Sequence, residues 1–266
     1  MNPSNSSRPP EGTSRSAPSS SRRELGAVVH FVLLLTAVAA TFLATSLTAQ
    51  EPEAVREGRA LTIGIIGSGS MGGPIGQLWA DAGHKVVYSS RNPSELMDLV
   101  EEARPRATAG FADASAHFGD VVLLAVPSGA IPQIGRDFGH LMEGKVVIDL
   151  GNPRADRDGE IANEWLEMGT GLATAQYLPG ARVVKAFNTL AAGMLEEAHR
   201  SGELIGVPIA GDDPEARQIT ATLVRDAGFE PVMVGDLESA ERFDRGTPVW
   251  VTGMTADEIR ETMDLD

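Results

Sequence analysis

The sequence predicts an α/β fold, in which a doubly wound parallel sheet carries helices on both of its faces. Short apolar runs rich in β-branched residues alternate along the chain with stretches of helical period. Strands of this kind are buried on both faces, which is typical of a parallel sheet covered by helices. A glycine-rich loop also follows the first run, as it does in sheets that bind dinucleotides. We therefore expect a ligand crevice at the carboxyl ends of the strands.

The first β-α-β unit is predicted from its apolar runs and from the residues that punctuate them. The run 61–66 is a buried strand, and the helix predicted at 71–82 ends before Gly83, a common C-cap residue. The run 85–89 is the second strand. A second helix is expected to begin at the pair 92–93, where asparagine caps the helix and proline takes its favoured first position.

The rest of the chain continues the alternation of strands and helices. Four more strands of the main sheet are predicted from apolar runs, at 106–109, 121–125, 145–149 and 182–186. A small C-terminal β-α-β extension is predicted next, with its helix and its strands at 213–227, 204–210 and 230–234. One short helix is expected in the acidic tail, near 255–263.

Composition and charge restrict the function further. The chain has 266 residues, a formal net charge of −15 and a pI near 4.7, so a nucleic-acid partner is not expected. It has no cysteine, which excludes disulfides, thiolate catalysis and cysteine-ligated metal centres. No two histidines have metal-ligand spacing, and we expect no metal site. The sequence does not set the oligomeric state, and it is compatible with a homodimer.

The N-terminal region differs in composition from the rest of the chain. The run 26–49 is uncharged and mostly apolar, and it follows two arginines at 22–23. A positive region before an apolar run is typical of a signal peptide, and this run is also long enough for a membrane anchor. A buried helix of the domain is the third interpretation. The Ser-Arg-Arg run resembles a twin-arginine export signal. We therefore expect a protein that is exported to the periplasm or beyond, or that associates with the inner membrane through 26–49.

These patterns divide the chain into four segments. Residues 1–50 form a disordered region followed by the signal peptide or anchor, and 51–59 form a short polar linker. Residues 60–240 form a dinucleotide-binding domain of the Rossmann type. Residues 241–266 form a C-terminal tail with one short helix.

The glycine-rich loop is the first candidate site. It follows a strand, opens a helix and has the spacing G-x-G-x-x-G over Gly67, Ser68, Gly69, Ser70, Met71 and Gly72. In this context the first glycine permits a tight turn and the second lets a pyrophosphate approach the backbone. The third lets the helix pack closely on the strand, and the helix N-terminus then faces the phosphates. The alternative is an ordinary turn between a strand and a helix.

The end of the second strand selects between NAD and NADP. An NAD site usually has an acidic residue here, which accepts a hydrogen bond from the ribose 2′-hydroxyl. This chain instead has the hydroxyls of Ser89 and Ser90, followed by Arg91 and Asn92. A planar guanidinium suits a 2′-phosphate, so the sequence predicts NADP(H) as the cofactor. The alternative is a surface arginine beside a helix cap.

Two later loops are expected at the nicotinamide end of the crevice. Val126 and Pro127 follow the fourth strand and should border the nicotinamide ribose, or they simply end the strand. The loop after the sixth strand contains Ala186, Phe187, Asn188 and Thr189. The amide of Asn188 and the hydroxyl of Thr189 suit the nicotinamide carboxamide and would position the ring. Asn188 is equally well explained as a helix cap.

These motifs resemble those of a known family, the deazaflavin (coenzyme F-420)-dependent NADP oxidoreductases. The runs that carry the resemblance are 67–72, 90–93, 146–153, 178–189 and 210–214. The same pattern is similar to the NADPH-oxidising domain of transmembrane metalloreductases. The resemblance covers about 61–238, whereas the segment from about 242 matches neither group.

The resemblance implies several functional assignments. Ser90 and Arg91 would hold the 2′-phosphate. The loops at Val126–Pro127 and at 186–188 would seat the nicotinamide ring against a second, tricyclic cofactor or substrate, a deazaflavin or a flavin. The segment from about 242 should help to shape the pocket for that second ring.

Three functions remain open from the sequence. The first is an NADP-dependent oxidoreductase that exchanges hydride with a deazaflavin or flavin-type acceptor. This chemistry needs positioning and no catalytic nucleophile, and the sequence has no evident acid–base pair. The second is a reductase of imines or β-hydroxy acids, of the pyrroline-5-carboxylate reductase type, which would need a long helical substrate domain. The third is a non-catalytic module that binds NADP(H).

Overall fold

The computed structural model describes residues 59–197 and 204–265. The predicted export or anchor segment at 26–49 and most of the predicted linker at 51–59 lie outside these residues. Among the described helices, none combines the length and the apolar character that a bilayer span requires.

The described residues form the predicted strands and helices. Each strand begins and ends within two residues of its predicted bounds. The strands are β1 Thr62–Ile66, β2 Lys85–Ser89, β3 Ala107–Gly110, β4 Val121–Leu124, β5 Val146–Asp149, β6 Arg182–Lys185, β7 Gly206–Gly211 and β8 Glu230–Gly235. The helices are α1 Gly72–Asp81, α2 Met97–Glu102, α3 Ala112–Phe118, α4 Ile131–Phe138, α5 Ala155–Asp158, α6 Ile161–Met168, α7 Thr170–Tyr177, α8 Ala192–Glu197, α9 Pro214–Asp226 and α10 Ala256–Thr262. Short 3-10 helices lie at Pro93–Leu96, Ser128–Ala130, Gly139–Leu141 and Glu238–Phe243.

All eight strands form one sheet, in the order β3-β2-β1-β4-β5-β6-β7-β8. The strands β1 to β6 are parallel to their neighbours, and helices cover both faces, which confirms the predicted doubly wound α/β fold. The C-terminal β-α-β unit extends this same sheet. Its first strand, β7, pairs with β6 in antiparallel orientation, with Val184 opposite Gly211. The sequence did not predict this reversal, because a buried apolar run has no signal for strand direction.

The reversal determines where the end of the chain lies. Because β7 and β8 are parallel to each other and antiparallel to β6, their carboxyl ends lie at the edge opposite the crevice. The 3-10 helix Glu238–Phe243 packs against β7 and leads the chain back along the sheet. Residues after this helix therefore return to the carboxyl ends of β1 to β6.

Two apolar layers hold the main sheet, and a third cluster holds its extension. One layer includes Trp79, Tyr88 and Phe187, and the layer on the opposite face includes Trp165. The third cluster joins β7 and β8 to the C-terminal part of the chain through residues including Val232, Phe243, Val249, Ile259 and Met263. The C-terminal tail is thus packed against the sheet over its described residues.

Candidate nucleotide-binding site

The glycine loop has the geometry that phosphate binding requires. Gly67 has φ +99°, and a Cβ there would lie 2.4 Å from the carbonyl oxygen of Ala125. A Cβ at Gly72 would lie 2.1 Å from the carbonyl oxygen of Gly67, so the helix can start only where a side chain is absent. A Cβ at Gly69 would meet nothing within 4 Å. The open space beside Gly69 is the place where a pyrophosphate fits against the backbone.

The start of α1 is free to interact with an anion. The helix is ten residues long, its N-cap Met71 makes no side-chain cap, and its first turn has no acidic residue. The N–H of Gly73 donates to the carbonyl of Gly69 at 2.9 Å and Pro74 has no N–H, so among the first three helical residues only Gly72 can offer an N–H to an anion, together with the partial positive charge of the helix end. Ser70 and Met71 line the cavity described below, whereas the hydroxyl of Ser68 accepts a hydrogen bond from the backbone N–H of Ser89 at 3.1 Å.

The end of β2 offers one hydroxyl and one arginine to a ribose phosphate. Ser89 is buried, and its hydroxyl donates to the carbonyl of Ile65 at 2.7 Å, which corrects the expectation that both serines face the ligand. Ser90 is half-buried, and its Oγ accepts from the N–H of Asn92 at 2.9 Å, so its own proton remains available. Arg91 is exposed and makes no hydrogen bond or ion pair with any residue that the structure describes.

Asn92 lies at the predicted helix start, but it does not cap the helix as predicted. Its side chain makes no hydrogen bond to a backbone N–H of the turn. It instead donates to Glu95 at 2.8 Å and accepts from the hydroxyl of Ser94 at 2.8 Å. The turn is a 3-10 helix, Pro93–Leu96, and the α-helix begins only at Met97. This local network holds the loop that presents Arg91.

A cavity of about 390 Å³ lies where β1, β4, β5 and β6 end. Its walls come from the loops after these four strands and from a segment near the C-terminus. The lining residues are Gly69, Ser70, Met71, Ala125, Val126, Pro127, Leu150, Gly151, Asn152, Arg154, Arg157, Phe187, Leu190, Arg245 and Trp250. The predicted crevice therefore exists, with the glycine loop on one side.

The candidate residues of the two nicotinamide-side loops divide into two groups in the structure, those that line the cavity and those that are buried behind it. Val126, Pro127 and Phe187 line the cavity. Ala186, Asn188 and Thr189 are buried behind it, with at most 3% of each exposed. The Asn188 amide donates to the carbonyl of Phe243 at 3.1 Å, so it does not cap a helix. Its Oδ1 and the Thr189 hydroxyl have no partner among the described residues, and their roles toward the carboxamide remain predictions.

Phe187 holds an unusual backbone conformation at the cavity. Its φ is 63°, a left-handed value that costs energy for a residue with a bulky side chain. Its ring is fully buried and meets the rings of Trp79 and Phe229 edge to face, at centroid distances of 5.8 Å and 6.3 Å. Edge-to-face packing of this kind stabilises the turn and offsets its strain. Trp79 belongs to α1, so the same contact fixes the glycine-loop helix against the turn after β6.

A buried ion pair supports the loop after β5. The ammonium of Lys185 lies 2.8 Å from a carboxylate oxygen of Asp149, and both side chains are 1% exposed. Lys185 also donates to the carbonyl of Gly151, and Asp149 accepts from the N–H of Gly151 and the hydroxyl of Thr174. Because every one of these groups is partnered, the pair is tolerated in the interior and fixes the backbone that forms the cavity wall.

A second buried carboxyl ties the C-terminal segment to the same region. Asp244 accepts a hydrogen bond from the hydroxyl of Thr170 at 2.6 Å. Burial raises the pKa of the Asp244 carboxyl above its usual value, and the charge of Lys185 opposes that rise. Asp149 raises the pKa of Asp244 further, because a nearby negative charge disfavours the ionised carboxylate.

Nine of the lining residues were not candidates in the sequence analysis, and four of these nine carry a guanidinium or an indole. Arg154 and Arg157 follow β5, and Arg245 and Trp250 lie in the C-terminal segment. The loop after β5 ends a predicted strand at the crevice, so its position was a usable signal for the first two. The family resemblance implied that the segment from about 242 would shape the pocket, but it singled out neither Arg245 nor Trp250, which the reversal of β7 and β8 brings to the site. Among the described residues, no group of three or more histidine, cysteine, aspartate or glutamate side chains is placed to hold a metal ion.

Comparisons with known proteins agree with this geometry. Residues 62–153 match a family model described as NADP oxidoreductase, coenzyme F-420-dependent. The chain is 28% identical over 196 residues to the metalloreductase STEAP3 of Rattus norvegicus, a match that covers 71% of this chain and 37% of that protein. The chain thus spans little more than a third of the length of this curated relative.

Solved structures with the same fold extend the comparison. A hypothetical protein, SMa0349 of Sinorhizobium meliloti, is 26% identical with a TM-score of 0.60, and the match covers 74% of this chain and 96% of that one. An imine reductase from Pseudomonas sp. is 14% identical with a TM-score of 0.52, covering 68% of this chain and 58% of that one. The second likeness shows a shared fold alone.

Fold, site and comparisons together define the class of this protein. The family match covers the glycine loop, the Ser-Arg pair, the loop after β4 and the start of the loop after β5, so it includes part of the cavity wall. The chain has a Rossmann-type sheet with a glycine loop of the kind that binds dinucleotides, and residues 62–153 match a model of NADP oxidoreductases. It resembles both the coenzyme F-420-dependent NADP oxidoreductases and the metalloreductases.

Proposed function

We propose that the protein transfers hydride between NADPH and a planar tricyclic acceptor, a flavin or a deazaflavin. One observation carries this proposal: among the described residues that line the cavity, none is an aspartate, glutamate, histidine, lysine or tyrosine. Reduction of an imine or a hydroxy-acid precursor usually needs a placed proton donor. Hydride transfer to a flavin-type ring needs only alignment of two rings.

The electron balance of the reaction is simple. When bound, NADPH supplies a hydride, which is one hydrogen with two electrons, and the acceptor ring takes it up together with one proton from water. The residues of this chain bind and orient. The glycine loop suits the pyrophosphate, and Ser90 and Arg91 suit the 2′-phosphate. Val126 and Pro127 form the apolar wall that would hold the nicotinamide ring flat, and the buried ring of Phe187 supports the turn beside them.

A steady-state assay tests the proposal. NADPH oxidation is followed under anaerobic conditions with a deazaflavin, with riboflavin, with flavin mononucleotide and with ferric chelates as acceptors. Turnover with a tricyclic ring, and a strong preference for NADPH over NADH, is the expected result. Turnover only with imines or β-keto acids would instead favour the substrate-reductase alternative. Tight NADPH binding without turnover of any acceptor would identify a non-catalytic module.

We also propose that the segment 26–49 takes the domain to the inner membrane or beyond it. The proposal is supported by the arginine pair at 22–23 and the uncharged run that follows it. Twin-arginine export carries folded proteins, so the domain would bind its cofactor before export. Replacing both arginines by lysine should leave precursor in the cytoplasm. Unchanged export would contradict the twin-arginine route, and the mature N-terminus would separate cleavage from anchoring.

A further inference from the structure

The C-terminal segment 243–251, called the acceptor wall below, is held against the cavity by anchors from two other elements. At its start, the amide of Asn188 donates to the carbonyl of Phe243, and the hydroxyl of Thr170 donates to Asp244 at 2.6 Å. Both of these contacts are buried. They connect the wall to the loop after β6 and to the start of α7, which are separated from it by more than fifty residues of chain.

The other end of the acceptor wall is fixed by its backbone. The N–H of Val251 donates to the carbonyl of Thr189 at 3.0 Å, and the N–H of Trp250 donates to the carbonyl of Thr247 at 3.1 Å. Val251 has φ 55°, which is a genuine outlier for a β-branched residue. A strained conformation persists only where its surroundings determine it, and such positions cluster at ligand sites. Trp250, the residue before Val251, lines the cavity.

The charges around the cavity leave one arginine without a carboxylate partner. The charged lining residues are all arginines, Arg154, Arg157 and Arg245. Arg154 pairs with Asp156, and Arg157 pairs with Asp158 at 2.8 Å. Arg245 makes no ion pair among the described residues, although its charge helps to lower the pKa of the Asp156 carboxyl, and its guanidinium carbon lies 5.5 Å from the centroid of the Trp250 ring. Three arginines and no carboxylate side chain line the cavity within the described residues, and this defines a positive rim in an otherwise acidic chain.

The anions of NADPH are already accommodated elsewhere. The pyrophosphate fits the open space beside Gly69, and the 2′-phosphate fits the exposed pair Ser90 and Arg91. Arg245 lines the cavity from the C-terminal segment, which the family match does not include, and neither of these two anions is assigned to it.

We propose that Trp250 and Arg245 recognise the hydride acceptor, and that this acceptor is a flat ring system with an anionic side chain. The indole of Trp250 packs against the ring, and Arg245 binds a phosphate on the side chain. Indole and guanidinium suit these two groups, because an aromatic face packs against flat rings and a guanidinium forms charge-assisted hydrogen bonds with phosphate. This inference rests on the proposed function, which names a planar tricyclic acceptor, and it adds that the acceptor carries a negative charge.

Binding measurements with a matched pair of probes test the inference. Flavin mononucleotide and riboflavin differ only in the phosphate, and their dissociation constants can be measured from flavin fluorescence on the protein saturated with NADP⁺. The wild type should bind flavin mononucleotide about tenfold or more tightly than riboflavin, as one charge-assisted hydrogen bond implies. Arg245→Ala should abolish that preference, and Arg245→Lys should retain part of it. Arg136→Ala, an exposed arginine on α4, is the control and should change neither constant.

The tryptophan is tested separately. Trp250→Ala should weaken both flavins by a similar factor, and Trp250→Phe should recover most of the loss, while NADPH binding stays within twofold. Equal binding of the two flavins by the wild type, or undetectable binding of both, would overturn the inference. The inference would also be overturned if Arg245→Ala weakened NADPH binding and left flavin binding unchanged, because Arg245 would then bind the cofactor. These are binding constants, so a protein that binds as expected but turns over no acceptor would refute the proposed function alone.

Discussion

The two sides of the cavity are built in different ways. The phosphate side is local, since the glycine loop and α1 form one continuous stretch in which backbone approach is permitted by missing side chains. The acceptor side is assembled over long distances, from the buried pair Lys185 and Asp149 and from the tie between Thr170 and Asp244. Backbone geometry therefore determines one side, and buried polar side chains determine the other. The two sides should respond differently to mutation.

The largest effect is expected on the acceptor side. Lys185→Met leaves the Asp149 carboxylate buried without its cation, which should lower the free energy of unfolding by about 3–5 kcal/mol. Urea denaturation followed by circular dichroism measures this loss. The double variant Lys185→Met/Asp149→Asn removes the orphaned charge and keeps an acceptor for the N–H of Gly151, so it should recover much of the stability. Equal losses in the single and double variants would show that the charge is not the cause.

Two substitutions in the glycine loop should have opposite effects, one on the stability of the fold and the other on NADPH binding. Gly72→Ala places a methyl group 2.1 Å from the carbonyl oxygen of Gly67, so it should destabilise the fold by about 1–3 kcal/mol. Gly69→Ala meets no protein atom within 4 Å, so it should leave the unfolding midpoint unchanged and weaken NADPH binding instead. Thermal unfolding and NADPH titration on both variants check this. A destabilised Gly69→Ala variant with normal NADPH binding would contradict the assignment of the loop.

Specificity for NADP is expected to depend on one exposed side chain. Arg91→Ala should weaken NADPH binding by about 1.5–3 kcal/mol, the scale of a hydrogen bond to a charged group, because its guanidinium is otherwise free. NADH, which lacks the 2′-phosphate, should bind as before. Isothermal titration with both nucleotides measures the difference. A similar loss for both would assign Arg91 to the fold of the loop and not to the phosphate.

The smallest effect is expected at Asp244, whose buried carboxyl group accepts a hydrogen bond from the hydroxyl of Thr170. Since burial raises the pKa of Asp244, the folded protein holds that proton more tightly than the unfolded chain does. Its contribution to stability therefore falls as the pH rises from the carboxyl's ordinary pKa, about 3.9, to the raised value. For this one group, the free energy of unfolding should fall by at most about 1.4 kcal/mol per pH unit. Asp244→Asn should remove this fall, which unfolding measured from pH 4 to pH 8 would detect. An unchanged pH profile would refute the shift.

The contrast between the two sides also explains what the sequence could predict. The glycine loop, the strands and Arg91 are recognisable because their signals are local, in spacing and periodicity. Arg245 and Trp250 could not be found in this way, since their place depends on the direction of β7 and β8. Asn188 was assigned to the cofactor from its position after a strand, and this role remains a prediction; the sequence did not indicate that its amide donates to the carbonyl of Phe243, fifty-five residues away. Contacts between distant residues leave no pattern in either segment.

The positive rim of the cavity also has a consequence for kinetics. The chain as a whole carries a formal charge of −15, so an anionic acceptor is repelled at long range and attracted only within a few ångströms of Arg245. Salt screens the repulsion over about 8–10 Å at physiological ionic strength, and it affects contacts in a desolvated cavity much less. Capture of the acceptor should therefore become faster as salt is added, the reverse of ordinary electrostatic steering. Such a protein would work best where counterions are abundant.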